Sequence, residues 1–251
     1  MAKYSSKDVG FFLLGGYSLL GSTSKIEDVV ELKLNETYVL GDADEAYWSS
    51  GAKKTDVTQD GWFDDATNSV HEAFKTLPVL ALPMSIAPHG NTNGAAVDLY
   101  PSVQRVGYDV QLAVPEVTKA VGRYGVWYGK KPAYCIHYLA AETSTDSDNE
   151  SLDIHPFSSN KSNGGAQVLH VTALSGCASV TITTSHSTDG ATWAPKQAFT
   201  NVAPADVPAG ANAGQYIALT STMNQYWAVH WTFNTPTSPS CTFTVAVYQA
   251  P

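Results

Sequence analysis

Apolar and polar residues alternate over short runs along most of this chain, and the runs are divided by glycine, proline, serine and asparagine, which is the pattern of strands and turns. From Phe11 to Leu20 the apolar residues flank Gly15 and Gly16, predicting two short strands around a turn, or an extended arm with a bend. Ile26, Asp28, Val30 and Leu32 share one face of the next run, opposite Glu27, Val29, Glu31 and Lys33. That segment fits a strand or a helix by period, and its flanks favour the strand. The acidic, aromatic tract Tyr38 to Gly51 reads as a long surface loop. In Lys53 to Phe74 the period changes. Val57, Gln59, Gly61 and Phe63 alternate as in a half-exposed strand. Asp64 and Asp65 then open a segment in which Ala66, Val70, Ala73 and Phe74 fall near helical spacing, predicting one α-helix over about 64–75.

Leu77 to Ala87 reads as a buried strand limited by Pro78 and Pro83, and HGNTNGAA reads as a turn. Val103 to Val114 follows as a strand, Glu116 to Val121 as a short helical segment, and AYCIHYLAA as another strand. The aromatic stretch GRYGVWYGKKP between them has no readable role. Glu142 to Gly165 is polar and rich in Ser, Asn and Gly, the composition of a linker or long loop. Strand-like runs at regular spacing follow it, as in a β-sandwich. The chain therefore divides into a β domain over 1–160 and a C-terminal β-sandwich over 161–251.

Composition sharpens this picture. The 251 residues are 43% hydrophobic, enough for a packed core, and only 15% charged. A net charge of −9 excludes a grip on nucleic acid through a concentrated basic surface. Cys135, Cys177 and Cys241 are odd in number and lack metal-ligand spacing. They read as buried thiols in a reducing compartment, with Cys177 and Cys241 as the pairing to consider. Lys3 and Lys7 before an apolar run suggest a signal peptide, but Asp8 and the two glycines interrupt that pattern. The run is also too short to span a membrane.

No stretch carries catalytic chemistry. Gly16 to Gly21 has the glycine spacing of a phosphate loop, but Ser22 stands where the lysine belongs. His71-Glu72 begins like a zinc helix, but Lys75 replaces the second histidine. Asp146, Asp148 and Glu150 start like a calcium loop that Ser151 and Phe157 then spoil. No catalytic residue, cofactor site or metal site is expected. Trp193, beside the turn of SHSTDGATWA, is read as an exposed aromatic on a sandwich rim of the kind that stacks on sugars.

Two ordered stretches, LLGGYSLLGSTS from Leu13 to Ser24 and ETYVLGDADEAYWSSGAKKTDVTQDGWFDD from Glu36 to Asp65, resemble the tail tube (major tail) proteins of long-tailed bacteriophages. The likeness lies in Gly16-Tyr17 in the arm, Gly41-Asp42 in the loop, Gly51 before the next strand, and the turn Gly61-Trp62-Phe63-Asp64 before the helix. GGAQVLHVTAL and SVTITTSHSTDGATW are similar to the second half of larger members. The resemblance implies a mainly β fold, a tail-tube-like β-sandwich or barrel with one flanking helix followed by a second sandwich, which is a decoration or a second tube-like repeat. It also implies a structural virion protein, made in the host cytoplasm, whose copies form stacked rings of three or six chains. DNA would pass through the lumen without specific binding, other tail proteins would sit at the two tube ends, and no membrane would be involved. Gly41, Asp42, Tyr47 and Trp48 would form a subunit interface, with Tyr47 and Trp48 as anchors. The rival reading is a secreted or surface carbohydrate-binding β-sandwich protein, resting on the signal-like start and Trp193.

Overall fold

The structure is a computed structural model that describes residues 9–37, 47–63, 70–75, 81–112, 118–146 and 157–251. It is mainly β and antiparallel. The strands are β1 (Phe11–Leu14), β2 (Tyr17–Ser18), β3 (Thr23–Thr37), β4 (Tyr47–Trp62), β5 (Leu82–Ala87), β6 (Ala96–Gln111), β7 (Lys119–Trp127), β8 (Lys131–Glu142), β9 (Gly165–Ser175), β10 (Ser179–Ser187), β11 (Ala194–Ala198), β12 (Gly214–Leu219), β13 (Tyr226–Asn234) and β14 (Ser240–Gln249). Among the described residues one α-helix, α1, covers Val70–Phe74. No helix among the described residues is long and apolar enough to cross a membrane.

Eleven strands join in one sheet whose main path is β12-β9-β14-β8-β6-β5-β1-β2. The long strand β6 makes a branch. Its first residues pair with β8, while Ser102 to Gln111 pair with β7, which pairs in turn with β4, and β4 with β3. A separate sheet, β11-β10-β13, packs on the β8-β14-β9 region through Val180, Ile182, Trp227, Val229, Leu169, Val171 and Phe243.

Burial explains the least alternating runs. Phe11, Phe12, Leu13 and Leu14 are all buried because β1 is covered on both faces, so its sequence is continuously apolar. Phe12 and Leu14 join a core with Met84, Ile86, Tyr100, Tyr124 and Phe74. Phe11 and Leu13 join another with Leu99, Cys135, Val168 and Ala246. Each such side chain contributes roughly 1.5–3 kcal/mol by leaving water. The second core draws on residues from both sides of the expected 160/161 division. Within it His170 of β9 is buried, with Nδ1 at 2.8 Å from the Gly15 carbonyl and Nε2 at 2.8 Å from Ser85 Oγ. The carbonyl can only accept, so Nδ1 carries the proton and Ser85 donates to Nε2.

Several expectations are corrected. Tyr47 to Gly51 are not loop but the start of β4, and Gly41 and Asp42 lie outside the described residues. The loop reading followed the turn-forming composition, which the β3 ladder overrides: Thr37 pairs with Tyr47 and Glu36 with Trp48. Of the helix expected over about 64–75, the described part is Val70–Phe74, and Asp64 lies outside the described residues. Lys119, Ala120 and Val121 belong to β7 rather than a helical segment, because they complete a ladder between β4 and β6. Cys135, Cys177 and Cys241 are free thiols, in line with the reading of their sequence, but Cys177 is only partly buried where a buried thiol was expected.

Candidate assembly interface

The branch β3-β4-β7-β6 is a four-stranded sheet with two unpaired edges among the described residues. β3 pairs only with β4. On the side of β6 opposite β7, pairing with β5 ends at Val103, leaving Gln104 to Gln111 open. An open edge presents a row of unsatisfied backbone donors and acceptors, which another strand can pair with.

Alternation assigns the two faces. Val57, Gln59 and Gly61 of β4 and Ala120, Gly122 and Tyr124 of β7 point inward and are buried. Phe74 of α1 seats against Gly122, where an added Cβ would come within 2.7 Å of its ring. Tyr108 stacks on Phe74 at 5.1 Å, Tyr124 meets it edge-on at 5.2 Å, and the Arg105 guanidinium lies 5.4 Å from its centre. Burial holds the Arg105 pKa below its usual value and raises the Tyr124 phenol far above its own. The Tyr124 hydroxyl donates to Gln59 Oε1 at 2.6 Å, Gln59 Nε2 donates to Thr23 Oγ1, and that hydroxyl donates to the Leu19 carbonyl. This chain of hydrogen bonds satisfies Gln59, a polar side chain buried at 0% exposure near the end of β4.

The turn Gly61-Trp62-Phe63 sits where β4 ends. Gly61 is dictated by the close approach of β3, since a Cβ there would lie 2.0 Å from the Ser22 carbonyl oxygen. The Phe63 ring packs 4.7 Å from His71, which shares a 3.1 Å hydrogen bond with the Tyr108 hydroxyl, so His71 serves the packing of α1. Trp62 is 46% exposed and lines a cleft of about 400 Å3 with Lys25, Asp60, Gln111 and Lys119.

The outward face is mixed in charge. Lys25 pairs with Glu27, and Arg123 with Asp109 at 3.0 Å, both well exposed and worth little to stability. Large apolar side chains are exposed on this sheet or at its end: Val29, Trp62, Val106, Val110, Leu112 and Trp127, Val106 at 63% and Leu112 at 80%, with Val110 opposite Ala120 on the inner face. Tyr128, Tyr134 and Tyr138 are the others. From Phe157 to Pro251 no large apolar side chain is comparably exposed.

The structure thus places Gly61, Trp62 and Phe63 together at one end of the sheet, and puts the Tyr47 and Trp48 backbone on β4 opposite Thr37 and Glu36. Sequence reasoning missed the open β6 edge, the Val106 bulge and the turn after β7. The unexplained run GRYGVWYGKKP was the available signal, since glycines alternating with aromatics mark a strand that must pack closely on one face. Trp193, expected on an exposed rim, is partly buried and its indole N–H is buried.

No protein-family model matches the chain. No curated protein sequence matches it. Solved structures do: the virion of a native gene transfer agent particle, at 8% identity and TM-score 0.39, covers 52% of this chain and 98% of the matched one. The SPP1 tail tube matches at 9% identity and TM-score 0.40, over 51% of this chain and 77% of its own. The SPP1 Dit protein, described as a hub adsorption apparatus in phages infecting Gram-positive hosts, matches at 11% identity and TM-score 0.35, over 95% of this chain and 98% of its own.

Proposed function

We propose that this chain is a structural protein of a phage tail, whose copies join edge to edge into rings that stack as a tube around the path of the DNA. One observation carries the reading: the sheet β3-β4-β7-β6 has two open edges and most of the exposed large apolar side chains, whereas the edge strands β11, β12 and β13 from Phe157 onward carry no such side chain. Pairing the β3 edge of one copy with the β6 edge of the next would use both edges, and a closed ring leaves neither exposed. The ordered likeness of Leu13 to Ser24 and Glu36 to Asp65 to tail tube proteins supports the same role.

In this reading residues 1–160 supply the ring-forming sandwich and 161–251 a second β unit, outside the tube or as a second repeat. Among the described side chains, the outward face has more acids (Glu27, Asp56, Asp60, Asp109) than bases (Lys25, Lys119, Arg123), and it would line the lumen without binding DNA. Gly41, Asp42, Tyr47 and Trp48 would contact the neighbouring copy, and other tail proteins the two tube ends. The protein would reside in the virion and do no chemistry. The sugar-binding alternative loses its residue, because Trp193 is not an exposed platform.

Negative-stain microscopy of the purified chain is the test. Rings or stacked tubes support the reading. Monodisperse monomers at every concentration up to the solubility limit would sink it.

A further inference from the structure

The ladder between β3 and β4 is longer than its support. The last β4 residue paired with β7 is Asp56, opposite Gly125, and in the hairpin Asp56 lies opposite Val29 and Val57 opposite Asp28. From there Val30 to Thr37 and Tyr47 to Thr55 pair only with each other among the described residues, a ribbon running about 25 Å past its last bond to β7. A two-stranded ribbon is marginal by itself, so its direction depends on what holds its base.

On the β4 side that base is held by the β7 ladder, and on the β3 side one side chain ties it to β6. Lys130 Nζ lies 2.6 Å from Asp28 Oδ2 on β3 and 3.3 Å from Asp98 Oδ2 on β6. The lysine reaches both because the preceding residues Tyr128 and Gly129 adopt left-handed φ values of 67° and 66°. For Tyr128 that conformation is unfavourable and its ring is 78% exposed, so local packing of the ring does not account for the turn. Asp28 is 17% exposed, and its Oδ1 and the Tyr100 hydroxyl are buried without a hydrogen bond of ordinary geometry. Burial first, then the Asp28 and Asp98 charges, push the Tyr100 phenol far up, so it stays protonated beside them. Burial opposes the Lys130 charge, but the carboxylates outweigh it and raise its pKa.

We propose that Lys130 is a positioning residue that latches the β3–β4 ribbon to the body of the protein at the row where the ribbon leaves β7, and so sets the direction in which the ribbon meets a second copy. The contact to a second copy rests on the assembly reading above; the latch itself does not. Without the ammonium, Asp28 and Asp98 would be left as like charges with no counter-ion between β3 and β6.

The test is amide hydrogen exchange on the soluble full-length chain, with assembly measured separately by microscopy across a concentration series. K130M should speed exchange at Asp28, Val29, Asp56 and Val57 about tenfold relative to the amides of β9 and β14, and K130R should restore it. If K130M does not fold, D28N/K130M removes the ribbon's unpaired charge and should show the same local acceleration. Unchanged exchange at those four amides, or acceleration shared equally by β9 and β14, overturns the latch. K130M should also raise the concentration at which rings appear about tenfold; rings at the unaltered concentration overturn its part in assembly. If the wild-type chain forms no rings, the assembly reading fails while the exchange comparison still decides the latch.

Discussion

Single residues here act mainly by what they exclude or neutralise. Gly61 admits the Ser22 carbonyl to a distance that no side chain would allow. Gly61→Ala should therefore destabilise the fold by about 1–3 kcal/mol through a forced shift of the β3–β4 ladder, read as a lower urea midpoint. His137 and His170 are both at 0% exposure, and burial lowers each to about 4. In the unfolded chain they titrate near 6.5, so as pH falls the unfolded state takes up these protons first. Stability is then full above about pH 6.5 and is lost progressively towards pH 4, by about 3 kcal/mol for each histidine. Urea midpoints measured from pH 7.5 to pH 4 check this, and a flat profile would contradict the neutral state assigned to both rings. His170→Gln, which keeps a donor and an acceptor, should remove part of that slope while leaving the fold intact.

At the scale of elements, the open edges allow folding to be tested separately from the proposed assembly. Val29, about half exposed, lies on the outer side of β3, and Val106, largely in water, lies in the bulge of β6. Val29→Lys and Val106→Glu should each change stability by no more than about 0.5 kcal/mol. Either should reduce or abolish ring formation if these strands meet, and the pair in one chain should recover part of it through the new opposite charges. Thermal melts and negative-stain images of the three variants distinguish these outcomes. Most strands were legible in the sequence because alternation and turn residues are local signals, as in β1 and β2 around Gly15 or β10 and β13. The first residues of β4 were not, since GDADEAYWSSG carries turn chemistry and only its partner strand makes Tyr47 to Gly51 extended. Lys119 to Val121 were hidden for the same reason: β7 is fixed from both sides by strands distant in sequence.

Across the whole molecule, the composition indicated a mainly β chain but could not give strand order. β14 shows why. It lies between β8 and β9, pairing Cys241 with both Glu142 and Leu174, so the strands before and after the polar tract at 142–165 share one sheet. Nothing local announces such a pairing. The core of Phe11, Leu13, Leu99, Cys135, Val168 and Ala246 is built from the same distant pieces. A chain ending at residue 239 should accordingly lose structure in β8 and β9 alike, rather than in its C-terminal part alone. Hydrogen exchange would show loss of protection at His137 of β8 as well as at Val168 of β9, which lie opposite Val245 and Ala246 of β14.

The place of β14 also orders events in time. Strand β8 is complete at Glu142, but the neighbour that seals its edge begins only at Ser240. On a ribosome, the sheet that carries the β6 branch waits for roughly a hundred more residues before it can close. A chain released before residue 240 would therefore lack the strand that closes this sheet, and if copies assemble as proposed, such truncated chains would be poor partners for complete ones.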